Sequence, residues 1–117
     1  MKLYREEIID HYKNPRKFGD LPSKTHEVSE TNASCGDMIE IYLEVEKKVI
    51  KDASFKGVGC ALSVAASSML MEELVGKEIK EVKKWDEKKM VKLMGEVNPG
   101  RVKCVMLPIK ALREVVK

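Results

Sequence analysis

The chain has 117 residues, 44% of them apolar, which suits one compact domain over residues 1–117 with a core of its own. Its 22 Lys and Arg against 19 Asp and Glu leave a formal net charge of +3, too mild to argue for a nucleic-acid partner. No apolar run approaches a membrane span and the first residues carry no signal-peptide pattern, so no membrane partner and a cytoplasmic setting are expected.

Tyr4, Ile8, Ile9 and Tyr12 fall at helical spacing and predict a short amphipathic helix, stopped by Asn14-Pro15. Lys13 to Ser23 reads as a loop broken by Pro15, Gly19 and Pro22. Thr25 to Thr31 is a strand candidate. Met38 to Glu46 is a more regular one, with Ile39, Ile41, Leu43 and Val45 alternating with Glu40, Tyr42, Glu44 and Glu46. Lys47-Lys48 is a hairpin tip. Val49 to Lys56 returns with Ala53 and Phe55 inward and Asp52, Ser54 and Lys56 outward, which predicts an antiparallel meander with one wet face.

From Cys60 the period becomes helical. Ala61 to Val75 is rich in small residues, suited to close packing on a sheet, and ends at Gly76. Asp86 is placed to cap a short helix containing Met90, Val91, Leu93 and Met94, closed by Gly95. A last helix carries Val105, Ile109, Leu112 and Val116 on one stripe, with Pro108 expected in or near its first turn. The expected fold is α+β: a three-stranded, mainly antiparallel sheet with helices packed on one face.

Three cysteines cannot all pair internally, and in a reducing compartment free or metal-bound thiols are expected. Cys35 sits in Ala33-Ser34-Cys35-Gly36-Asp37, Cys60 in Gly57-Val58-Gly59-Cys60-Ala61, and Cys104 in Arg101-Val102-Lys103-Cys104. Each lies where a loop meets a regular element. Cys60 and Cys104 open helices, where negative charge is favoured, and both thiols should ionise more easily than a free one, Cys104 further helped by Lys103 and Arg101. Three thiolates and the Asp37 carboxylate are enough to close a tetrahedral metal site with one weaker ligand. No Cys-x-x-Cys pair exists and neither His11 nor His26 adjoins a cysteine, which excludes a zinc ribbon or finger. On residues alone, Asp37 could equally be a turn or strand-start residue, and Lys103 a solvated charge. The lysines between Lys77 and Lys92 could suggest a zinc domain that binds protein or nucleic acid; they read better as a solvated helical surface.

These motifs resemble the IscU/SufU/NifU N-terminal iron–sulfur cluster scaffolds over nearly the whole chain. Tyr4 through Leu21 is similar to that family's opening helix and Asn-Pro-Arg loop. Ala33 to Asp37 is similar to its first cysteine motif, Phe55 to Ser63 to its second, and Cys104 falls at its third cysteine. The resemblance implies a [2Fe–2S] cluster assembled from iron and from sulfur delivered as a persulfide by a cysteine desulfurase. Electron donors reduce that sulfur, and the cluster then passes to apo-proteins. It places Cys35, Asp37, Cys60 and Cys104 at the ligand positions.

Two departures accompany the resemblance. The IscU branch has a histidine before the third cysteine, and here that position is Lys103, a poor ligand while protonated. Arg101-Val102-Lys103-Cys104 is similar instead to the SufU branch, whose members look like zinc-dependent sulfur carriers. Yet Cys60 and Cys104 are 44 positions apart, the compact IscU-like spacing without the SufU insertion. Of the IscU segment that meets an Hsp70-type chaperone only Val102-Lys103 remains, so chaperone-assisted release is doubtful. Two functions are carried forward: a non-enzymatic scaffold or carrier, and a zinc-bound sulfur acceptor with sulfurtransferase activity. Cys104 is the candidate persulfide acceptor, Cys35 the runner-up, and Lys103 the candidate thiolate stabiliser.

Overall fold

The computed structural model describes residues 6–32, 36–95, 97 and 99–116. Its elements are α1 (Glu6–Lys13), β1 (His26–Asn32), β2 (Asp37–Glu46), β3 (Val49–Val58), α2 (Ala61–Leu74), α3 (Ile79–Val82), α4 (Glu87–Met94) and α5 (Val102–Val116). A single 3-10 turn, Pro99–Arg101, leads into α5.

The strands form the expected antiparallel sheet in the order β1-β2-β3. Lys47 and Lys48 make the β2–β3 turn with φ of 52° and 65°. This is the left-handed backbone whose twist matches a two-residue hairpin. Alternation then sets the faces. Ile39, Ile41 and Leu43 of β2 join Ala53 and Phe55 of β3 in one core cluster with Leu70, Met71 and Leu74 of α2 and Ile109 and Leu112 of α5. The small residues of α2 have the effect their size suggests: Ala65, Ala66, Ser67 and Ser68 are at most 1% exposed, so the helix is buried nearly all round. Asp86 caps α4 by accepting the Lys88 N–H at 3.0 Å, and Gly95 closes that helix.

Three local expectations are corrected, and one element is added. The outer face of the sheet is not simply wet, because the loop after α1 straps it. Ser54 Oγ donates to the Gly19 carbonyl at 2.8 Å, Lys56 pairs with Asp20 at 2.7 Å, and Lys24 stands over the Tyr42 ring. Tyr42 and Ser54 are therefore both only 6% exposed. On α1 the buried residues are Ile8 and His11, whereas Ile9 and Tyr12 are 44% and 48% exposed; Tyr4 lies outside the described residues. The short helix α3 carries no apolar period long enough to be read. Finally, α5 begins at Val102, so Pro108 is its seventh residue and lies in the helix interior. A proline there cannot donate to the carbonyl four residues back, which belongs to Cys104.

His11 ties α1 to α2. Its Nδ1 meets Ser68 Oγ at 2.6 Å, its Nε2 lies 3.5 Å from Glu72, and the Arg16 N–H donates to the same Ser68 oxygen at 2.8 Å. Burial holds the imidazole below the usual histidine range, helped by Arg16 and opposed by Glu72, Asp10 and Glu7. The unfolded chain therefore takes up this proton first, and the stability carried by neutral His11 is lost as pH falls below about 6.5. Urea midpoints compared at pH 7.5 and pH 5.5 should fall for the wild type and stay nearer level for His11→Gln. Parallel curves would remove His11 as the cause.

Among the described residues, no helix is long and apolar enough to cross a membrane.

Candidate metal centre

β2 begins at Asp37, directly after Gly36, whose φ of 73° lets the chain reverse while its N–H bonds the Asn32 carbonyl at 2.9 Å. Asp37 pairs with Asn32 across the β1–β2 ladder. With only 3% of its surface exposed, Asp37 is not a surface turn residue. Its side chain reaches the start of α2, where Cys60 is the N-cap residue and supplies no side-chain cap of its own. The Cys60 N–H donates to Asp37 Oδ1 at 3.2 Å, and Cys60 Sγ lies 3.9 Å from Asp37 Oδ2. The carboxylate thus does from a strand what the glutamate of a capping box does from within a helix. It also supplies negative charge to a first turn that holds no acidic residue.

Cys104 arrives from the other side, on the first turn of α5. The Asp37 carboxylate and the Cys60 and Cys104 thiols offer ligand atoms that all lie within 4.8 Å of one another. An ion bound about 2.0–2.3 Å from sulfur and oxygen ligands fits inside such a triangle. With one carboxylate oxygen held by the Cys60 N–H, the other is left for the ion. Cys35 lies outside the described residues. Neither histidine joins the group: His11 is bonded to Ser68, and His26 Nδ1 meets Thr25 Oγ1 at 2.7 Å.

The two thiols differ sharply. At Cys60 burial pushes the thiol up, but the Ser63 and Leu62 N–H groups, the Cys104 thiol and the Ser63 hydroxyl outweigh it, and the net shift is downward. Cys104 is pushed up to about 12, first by burial and then by Cys60 and Asp37. It is 1% exposed, while Arg101 and Lys103 point to solvent. The expectation of easy ionisation therefore holds for Cys60 and is overturned for Cys104 in the metal-free protein. The basic neighbours in sequence are not the surroundings of the sulfur, and its real neighbours are anionic or apolar. A nearby cation reverses this preference, because a metal binds thiolate and displaces the proton.

Sequence reasoning did not single out Gly59 and Ser63 as part of this centre. The signal available was the glycine directly before Cys60, with a serine three residues after it.

The sequence pattern of the NifU-like N-terminal domain matches residues 3–117. The chain belongs to this family. Members similar to it include the iron–sulfur cluster assembly scaffold protein IscU of Thermotoga maritima, 38% identical over 98% of this chain and 93% of that protein. The zinc-dependent sulfurtransferase SufU of Bacillus subtilis is 34% identical over 96% of this chain and 88% of its own length. The crystal structure of FiSufU from Fervidobacterium islandicum AW-1 superposes with a TM-score of 0.83 at 30% identity, covering 97% of this chain and 96% of that one. As a NifU-like domain the chain is thus similar to members of both the IscU and the SufU branches.

Proposed function

We propose that this NifU-like domain is a scaffold. On it a [2Fe–2S] cluster is assembled from iron and from sulfur supplied by a cysteine desulfurase, then passed to apo-proteins. The observation that carries this reading is the convergence of one carboxylate with two thiols from three separate elements, β2, the start of α2 and the start of α5. Cys35 is proposed as the remaining ligand. It stands two residues before Asp37, and two residues span at most about 7 Å. A carboxylate holds iron less firmly than a fourth thiolate would, and that weakness suits a site that must release what it builds.

Cys104 is proposed as the sulfur acceptor. Its thiolate attacks the outer sulfur of the donor's persulfide, the donor's S–S bond breaks, and the desulfurase cysteine leaves as thiolate. Two electrons from a reductant then convert the acquired sulfur to sulfide. Because Cys104 is buried and holds its proton, acceptance requires the first turn of α5 to open. Lys103 is the cation proposed to stabilise the thiolate once it is exposed. Val58 and Val102, each two residues before a ligand cysteine, are 63% and 39% exposed, apolar surface suited to a protein partner. Cysteines that must stay reduced fit the cytoplasm.

A second reading, a zinc-bound sulfur acceptor, is favoured by Lys103 standing where the IscU branch has histidine. One experiment separates the two. The protein is reconstituted anaerobically with ferrous iron, cysteine and a desulfurase, then assayed for metal, visible absorption and sulfur mass by peptide. The scaffold reading expects an iron–sulfur spectrum, one added sulfur on the Cys104 peptide before iron is supplied, and a longer-lived, more slowly transferred cluster in Asp37→Ala. Colourless protein holding one zinc, still passing sulfur onward, transfers the assignment to the relay. A cluster in Asp37→Ala that leaves as fast as in wild type removes the proposed role of the carboxylate.

A further inference from the structure

Gly59 sits between the end of β3 and the start of α2, against the candidate metal centre. A Cβ placed on it would stand 2.4 Å from Ser63 Oγ, 2.8 Å from Asp37 Oδ1 and 2.9 Å from Asp37 Cγ. Carbon atoms in contact settle about 3.5–4.0 Å apart, so something must give way. The backbone on either side is not free to do so. Asp37 is fixed in the ladder opposite Asn32 on one side and Val58 precedes Gly59 at the end of β3 on the other, with Met38 paired to Val58. Ser63 is 6% exposed, its hydroxyl donates to the Cys60 carbonyl at 3.0 Å, and its own carbonyl accepts from Ser67 Oγ at 2.8 Å. What can move is the two side chains: turning the Ser63 hydroxyl off the Cys60 carbonyl relieves one of the three contacts, and the other two, both with the Asp37 carboxylate, are relieved only by shifting that group.

We propose that Gly59 is a positioning residue for the oxygen ligand. By lacking a side chain it lets the Asp37 carboxylate press against the start of α2, with one oxygen on the Cys60 N–H and the other facing Cys60 Sγ. Any larger residue turns the carboxylate away and leaves a centre held by thiolates alone. Gly59 touches no metal itself; it acts through Asp37. The inference rests on the metal-site reading above, for either zinc or iron.

The test is titration with cobalt(II), whose d–d bands report the ligand set, on four proteins: wild type, Gly59→Ala, Asp37→Ala and the double variant. Thermal unfolding of the metal-free proteins provides the fold control. Gly59→Ala is expected to bind cobalt about ten- to a hundredfold more weakly, the usual effect of losing a ligand's support. Its bands should match those of Asp37→Ala. In the Asp37→Ala background the same glycine change should have little further effect, since the group it acts on is already gone. If Gly59→Ala does not fold, Gly59→Ala/Ser63→Ala relieves the closest clash while keeping the carboxylate displaced, and the same spectrum is expected. Wild-type bands in Gly59→Ala, or losses that simply add in the double variant, overturn the positioning role alone. Failure of the wild type to take up cobalt overturns the metal-site reading and this inference with it.

Discussion

Cys104→Ser is expected to weaken zinc binding by more than about a hundredfold, since loss of a ligand's supporting partner alone already costs ten- to a hundredfold. Serine fills nearly the same space and keeps the first turn of α5, so the change falls on the ligand atom rather than on the fold. Three consequences can be read in one set of titrations. At a fixed free zinc concentration the added stability drops by about 2.7 kcal/mol for a hundredfold loss of affinity. Zinc therefore raises the melting temperature of the variant much less than that of the wild type. Proton release on metal binding also falls. Cys104 carries its proton up to about pH 12 in the metal-free protein and must give it up to bind, whereas a serine has none to yield at neutral pH. Zinc held as tightly, with as many protons released, would show that the sulfur of Cys104 takes no part in the centre.

Leu70→Ala should be the most damaging single change away from that centre. Leu70 is fully buried on α2, in the cluster where this helix meets the sheet and α5. Removing its side chain loses transfer free energy and leaves a cavity that rigid neighbours fill poorly, about 2–5 kcal/mol in all. For a domain of this size the melting temperature falls by roughly 10–20 °C. The same helix begins at Cys60, so the metal centre is expected to loosen with it, and added zinc should recover part of the loss. A melting temperature within a few degrees of wild type would mean that α2 is not the central support of the fold.

Much of the architecture is legible in the chain because its signals are local. Strict alternation from Ile39 to Val45, the Lys47-Lys48 turn, the Asp86 cap and the Val105, Ile109, Leu112 and Val116 stripe each depend on neighbours a few residues apart. The convergence of Asp37, Cys60 and Cys104 is foreshadowed by three motifs placed where loops meet regular elements. What the chain does not disclose depends on contacts between distant parts. Ile9 is as apolar as Ile8, yet His11 takes the buried position because Ser68 and Glu72, 57 and 61 positions away, can partner it. The strap over Tyr42 and Ser54 is built from a loop that has no period to read. The acidity of Cys104 is not set by Lys103, its neighbour along the chain. It is decided by the exclusion of water and then by Cys60 and Asp37. Gly59 is visible in the sequence, but only the packing shows that the space it leaves is filled by a carboxylate.

Pro108 divides α5 into two mechanically unequal parts. Downstream, Ile109 and Leu112 are anchored in the core. Upstream, Val105 and Leu107 lie in the same core, but the carbonyl of Cys104 has lost its regular helical donor, so the ladder of the rod is weakened where the thiol is carried. The thiol proposed to take up sulfur is thereby carried on a turn whose own ladder is interrupted, which suits the opening that such a role requires.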